Sequence, residues 1–203
     1  MTEQLTEKQA TVLGAIRERR SVRCYQDQAV PQAILREALD AARWAPSAAN
    51  NQPWQFLVVT RPDLRRALGR HARWHFIRWR HVAQAPVVVV ILGNPAANRW
   101  HLVDCAMAGQ NLMLAAHALG LGTCWIGAFD PRGVRQVLAI PERLAVVGLV
   151  TLGYPAERPA PPPRLDLDEV VFAETYPARG GPGLTRRLRQ TGLLSLGRRI
   201  RRS

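Results

Sequence analysis

Apolar positions along the chain recur with two periods, and each period predicts a kind of element. Val12, Ala15 and Ile16 follow Thr6 at helical spacing, so a first helix is predicted from Thr6, a good N-cap, to about Arg19. Pro31 opens a second helix, in which Ile34, Leu35, Ala38, Leu39 and Ala42 repeat at i, i+3/i+4 until Pro46 forces the chain out. Gln55 to Thr60 and Val87 to Leu92 are short runs rich in β-branched residues and bounded by proline or glycine; they read as buried strands. An arginine-rich stretch of helical character separates them. Leu102 to Leu119 is apolar on most faces with Gly120 beyond its end, which predicts a long helix buried in the domain or in a subunit interface. Asp130-Pro131 caps a short helix to about Leu138, and Ala145 to Leu152 is a third strand.

After Tyr154 the pattern changes. Pro155, Pro159 and Pro161 to Pro163 exclude helix and inner strand, so residues 155–178 are expected to form an extended arm of the kind that embraces another subunit. The reading is therefore one domain over 1–178, arm included, followed by a basic tail over 179–203. Gly180, Gly181, Pro182 and Gly183 make disorder the expectation for that tail, with a basic amphipathic helix around Leu184, Leu188 and Leu193 as the competing reading.

A length of 203 residues with 47% hydrophobic and 21% charged residues suits one domain or one protomer of a compact oligomer. The formal net charge of +13 invites a nucleic-acid reading until it is divided along the chain. Residues 1–60 carry +1, 61–81 carry +6, 82–178 carry −2 and 179–203 carry +8. Lys8 is the only lysine among 28 basic residues, a bias that suggests genomic base composition as much as selection for charge. Cys24, Cys105 and Cys124 form no close-spaced pair, which argues against a disulfide framework or a zinc knuckle and fits a reducing cytoplasm. No metal site is expected. The first twenty residues contain no apolar core of a leader, and no membrane span is predicted.

Three loop segments carry the candidate chemistry. In Arg19-Arg20-Ser21-Val22-Arg23, three guanidiniums and a hydroxyl crowd a helix C-terminus; guanidinium forks suit phosphate oxygens, although basic residues there also simply complement the helix dipole. In Trp44 to Trp54, Pro46, Ser47, Asn50 and Gln52 offer neutral donors and acceptors in a tight loop, and are also ordinary turn formers. In Leu119 to Gly127, three glycines permit close main-chain approach to a flat ligand, or serve a helix cap and an edge bulge. The last is not a G-x-G-x-x-G fingerprint, since it follows a helix and precedes a strand.

Together, RRSVRCY (19–25), AARWAPSAANNQPWQFLVV (41–59), DCAMAGQNLMLAAHALGLGTCWIG (104–127) and VVGLVTLGYPAERPAPPPR (146–164) resemble the FMN-dependent nitroreductase family, in its order and with compatible spacing. The resemblance implies an α+β fold: a three-layer α/β/α sandwich on a central mixed, mainly antiparallel sheet, with a long buried helix and a C-terminal arm exchanged across a homodimer. It implies FMN as cofactor and NADH or NADPH as electron donor. On matching positions, Arg19, Arg20, Ser21, Arg23 and Arg164 inherit the grip on the phosphate and ribityl chain. Pro46, Ser47, Asn50 and Gln52 inherit flavin contacts made partly from the partner subunit, at sites lying in the dimer interface. Thr123, Trp125, Ile126 and Gly127 inherit the strand edge beside the isoalloxazine, where main-chain N–H groups of Ile126 and Gly127 stabilise charge on the ring. Trp44, Trp54 and Trp125 are candidate aromatic neighbours, with core packing as the alternative for each.

The implied activity is ping-pong reduction of nitroaromatics, quinones or related small electrophiles, with the chemistry carried by the flavin and no catalytic side chain required. Arg73, Trp74 and His75, within the basic 61–81 stretch, are candidate substrate contacts; a solvated amphipathic helix is the plainer reading. Two alternatives stand beside this. One is a specialised member of the superfamily: a dehalogenase, an enone or azo reductase, or a flavin-fragmenting enzyme. The other is nucleic-acid or acidic-membrane binding through the tail, which lacks the aromatic residues interleaved in single-strand binders. No nucleic-acid partner is expected.

Overall fold

The computed structural model describes residues 6–74 and 77–176. The chain divides into two compact units, residues 1–159 and 160–203.

In the first unit, helix α1 (Glu7–Glu18) starts at Thr6 through a reciprocal capping box, with Thr6 N–H donating to Gln9 Oε1 at 2.7 Å and Gln9 N–H to Thr6 Oγ1 at 3.4 Å. Helix α2 (Gln32–Arg43) follows Pro31, and strand β1 (Trp54–Val59) follows a short 3₁₀ turn at Ala48–Asn50. Then come α3 (Pro62–His71), a two-strand hairpin β2 (Arg73–Trp74) and β3 (Ile77–Arg78), and α4 (His81–Gln84). Strand β4 (Val87–Gly93) leads to the long helix α5 (His101–Ala118), then β5 (Gly122–Ile126), α6 (Pro131–Leu138) and β6 (Ala145–Gly153).

The predicted helix over the whole arginine-rich stretch is corrected: it covers only Pro62–His71. Ala72 leaves helical geometry at φ −81°, ψ 90°, and its carbonyl accepts from Trp79 N–H at 3.0 Å, closing a hairpin in which Trp74 pairs with Ile77. Residues of this type suit an extended backbone, and the basic side chains around them conceal that preference in the hydropathy pattern.

Strands β1, β4, β6 and β5 lie in that order, every pair antiparallel. Beyond β5 the bridge between Ser21 and Thr123 is parallel, which makes the sheet mixed and mainly antiparallel. Central β4 is buried throughout because both faces are covered. Val87, Val89 and Ile91 face a core built with α2 and α5, while Val88, Val90 and Leu92 face a second built with α3, α4 and α6. The period of two along β4 thus partitions its valines between two layers of helices, the α/β/α sandwich expected from sequence. Helix α5 buries Cys105, Ala108, Leu112 and Ala116 completely, and no helix among the described residues is long and apolar enough to cross a membrane.

The second unit, over its described residues 160–176, holds a 3₁₀ turn at Leu167–Glu169, closed by a capping box between Asp166 and Glu169, and a tilted ring pair, Phe172 and Tyr176, with centroids 4.8 Å apart. Arg164 belongs to this unit. The basic tail 179–203 lies outside the described residues.

Candidate active site at the edge of β5

The arginine and serine segment leaves α1 at Arg19 in extended conformation and runs along the exposed edge of β5. Val22 N–H donates to the Thr123 carbonyl at 2.9 Å, and Val22 is buried tightly enough against Gly122 that a Cβ there would lie 2.8 Å from it. Glycine at 122 is therefore a matter of space, which allows residues 21–23 to approach the strand. Further along, Gln26 N–H donates to the Tyr154 carbonyl at 2.9 Å and Ala156 N–H to the Cys24 carbonyl at 3.0 Å, so the segment is held between β5 and the chain that follows β6.

Two side chains lock this path. Glu157 Oε1 accepts the main-chain N–H groups of Arg23, at 2.6 Å, and Cys24, at 3.0 Å. The Tyr25 hydroxyl donates to the Val22 carbonyl at 2.7 Å and lies 2.7 Å from Thr151 Oγ1 beneath. Burial raises the Tyr25 phenol well above its ordinary pKa, so it acts as a neutral strut. Arg20 donates to the carbonyls of Arg17 and Arg19, and Arg23 to that of Ser21; neither is engaged by a carboxylate among the described residues.

Two cavities flank the segment. The larger, about 370 Å³, is lined by Arg19, Arg20, Val22, Gly122, Thr123 and Glu157. The smaller, about 140 Å³, is lined by Arg23, Trp79, His81, Cys124 and residues 125–128. Thr123, which lines the first, and His81, which lines the second, each hold a polar atom that is sealed from solvent and has no hydrogen-bond partner, Oγ1 and Nε2 respectively. Such atoms carry a desolvation cost. Burial pushes the His81 imidazole down to about 4, with Arg23 acting in the same direction, so it is neutral at pH 7. Burial also raises the Cys124 thiol, and pushes that of Cys105 up to about 12, so neither is a thiolate nucleophile.

Arg19, Arg20, Ser21, Arg23, Thr123, Trp125, Ile126 and Gly127 therefore converge on one edge of the sheet. Trp125 lines the smaller cavity, yet its indole lies against Gly109 and Gly148, where added Cβ atoms would overlap the ring. Trp54 is in the core at 8% exposure, whereas Trp44 is 72% exposed.

Pro46, Ser47, Asn50 and Gln52 do not join this cluster. They precede β1, the opposite edge strand, with β4 and β6 between. Their loop holds Ala49, Asn50 and Gln52 at φ 49°, 55° and 45°, a left-handed conformation that costs a non-glycine residue about 1–2 kcal/mol. Ser47 Oγ accepts from Gln52 N–H at 3.0 Å, and buried Asp104 of α5 accepts from Ala48 N–H at 3.3 Å. Strain concentrated in a polar loop anchored from below is the pattern of a binding loop.

In the basic stretch, Arg73 is exposed on the hairpin, Trp74 pairs through its backbone, and His75 lies outside the described residues. The same stretch supplies two residues that sequence reasoning did not single out, Trp79 and His81; Trp79 Nε1 donates to the Ala128 carbonyl at 3.2 Å. Glu157 was equally hidden, its one signal being an acid set among the prolines and arginines of residues 155–164.

A family model described as the nitroreductase family matches residues 16–154. A protein of Thermus thermophilus named NADH dehydrogenase is 35% identical over 191 residues, covering 76% of this chain and 91% of its own. FMN reductase [NAD(P)H] of Bacillus subtilis is 27% identical over 188 residues, covering 81% and 74%. The crystal structure of a nitroreductase-family protein from Desulfovibrio desulfuricans, in complex with FMN, is similar with a TM-score of 0.73 at 36% identity, covering 82% of this chain and 98% of that one. With the match spanning both flanks of the β5 edge and every strand of the sheet, this chain belongs to the nitroreductase family.

Proposed function

We propose that this chain is an FMN-dependent oxidoreductase that takes electrons from NADH or NADPH and passes them to nitroaromatic, quinone or related electrophilic acceptors in a ping-pong cycle. The observation that carries the reading is the convergence of Arg19, Arg20, Ser21 and Arg23 on β5 beside two buried polar atoms without partners. Those residues suit the group: guanidiniums and a hydroxyl for a dianionic phosphate, neutral donors and acceptors for a polar ring rim, and a strand edge for a flat ring.

When bound, FMN supplies the hydride chemistry. Arg19, Arg20 and Ser21 would hold its phosphate end. Arg23, fixed through its main chain by Glu157, directs a positive charge to the ring side of the segment. The N–H groups of Ile126 and Gly127 favour negative charge on the adjacent ring edge. Buried Cys124 and Tyr25 stay protonated, and no side chain is needed as nucleophile.

Pro46, Ser47, Asn50 and Gln52 complete the site from a second copy of the chain. Their position at the far edge of the same sheet supports this, as do Val12 and Ile16 on α1, Trp44, Trp100, and Leu102 and Val103 on α5, all substantially exposed. Initial rates against varied NAD(P)H and quinone test the cycle: parallel double-reciprocal lines are expected, and lines converging at all acceptor concentrations would refute it. A monodisperse monomer binding one FMN per chain would refute the shared site.

A further inference from the structure

Asp104 lies in the first turn of α5, 2% exposed, and among the described residues no arginine, lysine or histidine pairs with it. A carboxyl group in such a place is costly unless donors meet it. It does not cap its own helix, whose N-cap is Trp100; Asp104 Oδ2 instead accepts from two loops, Ala48 N–H at 3.3 Å and Asn98 Nδ2 at 3.1 Å. Asn98 is itself fixed, its Oδ1 accepting Trp100 N–H at 2.7 Å. The first of these loops keeps Ala49, Asn50 and Gln52 in left-handed backbone. Its other hydrogen bonds stay inside it: the Ser47 carbonyl accepts from Asn50 N–H at 3.0 Å, the Ala48 carbonyl from Asn51 N–H at 3.0 Å, and Ser47 Oγ from Gln52 N–H. Among the described residues, the bond from Ala48 to Asp104 is therefore the hydrogen bond that ties residues 47–52 to another element. A conformation that strains Ala49 and Gln52 needs such an outside hold.

We propose that Asp104 is a positioning residue that acts in trans: without touching the cofactor, it holds the loop of Ser47, Asn50 and Gln52 in the shape in which that loop serves the site of the second copy. The inference rests on the shared-site reading given above. It follows from the topology, since this loop precedes β1 and the β5 edge of its own chain lies across β4 and β6. Loss of Asp104 thus damages the site built on the other copy's β5 and spares the one built on its own.

The test is a mixed dimer. Full-length chains carrying Asp104→Ala and chains carrying Arg23→Ala, with different affinity tags, are co-expressed, purified through both tags and titrated with FMN. One site then joins the intact loop of the Arg23→Ala chain to the intact β5 edge of the Asp104→Ala chain, and the other site joins both defects. Each homodimer is expected to bind FMN about tenfold more weakly than wild type. The mixed dimer is expected to titrate in two phases, half of its sites with wild-type affinity and half weaker by about a hundredfold, because the two defects act independently. A role in folding alone would not sort the sites in this way. Asp104→Asn keeps an oxygen that accepts from Ala48 and is expected to restore most of the affinity. Should the Asp104→Ala chain fail to fold, Asn98→Ala takes its place: it removes one bond to the carboxylate from outside the core and is expected to weaken its homodimer about threefold while leaving half of the mixed dimer's sites as wild type. The proposal is overturned if every site of the mixed dimer is weakened, which would place the effect within the mutated chain, if Asp104→Ala binds FMN as wild type does, or if Asp104→Asn binds as weakly as Asp104→Ala. A wild-type chain that binds FMN as a monomer, or binds none, would instead remove the shared-site reading itself.

Discussion

Glu157 is a carboxylate whose removal should be felt at the cofactor although it is expected to touch none of it. Its Oε1 accepts two main-chain N–H groups, from Arg23 at 2.6 Å and Cys24 at 3.0 Å, and so fixes the part of the segment that carries Arg23 past β5. Charge-assisted bonds of this kind contribute about 1.5–3 kcal/mol each when dry. Glu157 is only half-buried and water reaches both donors, so about 1 kcal/mol apiece is the better figure. Glu157→Ala should then cost about 2 kcal/mol, seen as a melting temperature lower by about 4–8 °C for a domain of this size. If the freed segment must be reordered when FMN binds, affinity falls between about fivefold and thirtyfold. Glu157→Gln keeps an oxygen that accepts both donors and loses only the charge, so about half the effect is expected. Flavin fluorescence quenching gives the affinities and a thermal scan the stability. Glu157→Ala binding FMN within about twofold of wild type would refute the idea that this carboxylate preorganises the segment.

Arg23→Ala should weaken FMN retention about tenfold, measured by flavin release on dilution. Gly148→Ala drives a methyl into the Trp125 ring and should lower stability by about 1–3 kcal/mol, read from denaturant unfolding and accompanied by a change in tryptophan fluorescence. His81 titrates near 4 when folded and near 6.5 when free, so the unfolded chain binds more protons between those values. Stability from this group is complete above about pH 6.5 and is lost as pH falls toward 4; His81→Leu should show a flatter profile over that window, in unfolding curves taken at pH 7, 5.5 and 4.5.

Much of the architecture was legible because the relevant forces are local. Thr6, Pro31 and Asp130-Pro131 mark helix starts through capping chemistry confined to a few residues, and the structure places starts there. The β-branched runs became strands within a residue or two of their predicted ends, since a strand buried on both faces shows as a continuous apolar stretch. The 61–81 stretch misled for the opposite reason: its arginines imitate a solvated helix, while the hairpin is set by a bond from Trp79 back to Ala72. At the site, the arginine, serine and glycine segments were visible as unusual local chemistry. Glu157, Tyr25 and His81 were not, because their meaning lies in partners far off in sequence: Glu157 is 134 residues from Arg23, and Tyr25 126 from Thr151. The net charge of +13 likewise changed meaning once divided. The residues at β5 that accompany Arg19, Arg20 and Arg23 are mostly neutral, and the largest share of the excess sits in the tail.

The central claim is that this edge of the sheet holds a working flavin. The most direct measurement is to incubate the purified chain with FMN, remove the unbound excess, and follow NADH or NADPH oxidation with a quinone or nitroaromatic acceptor. A yellow protein holding about one FMN per chain and oxidising the nicotinamide only when an acceptor is present is the expected result. A colourless protein that retains no FMN and oxidises neither nicotinamide would contradict the account.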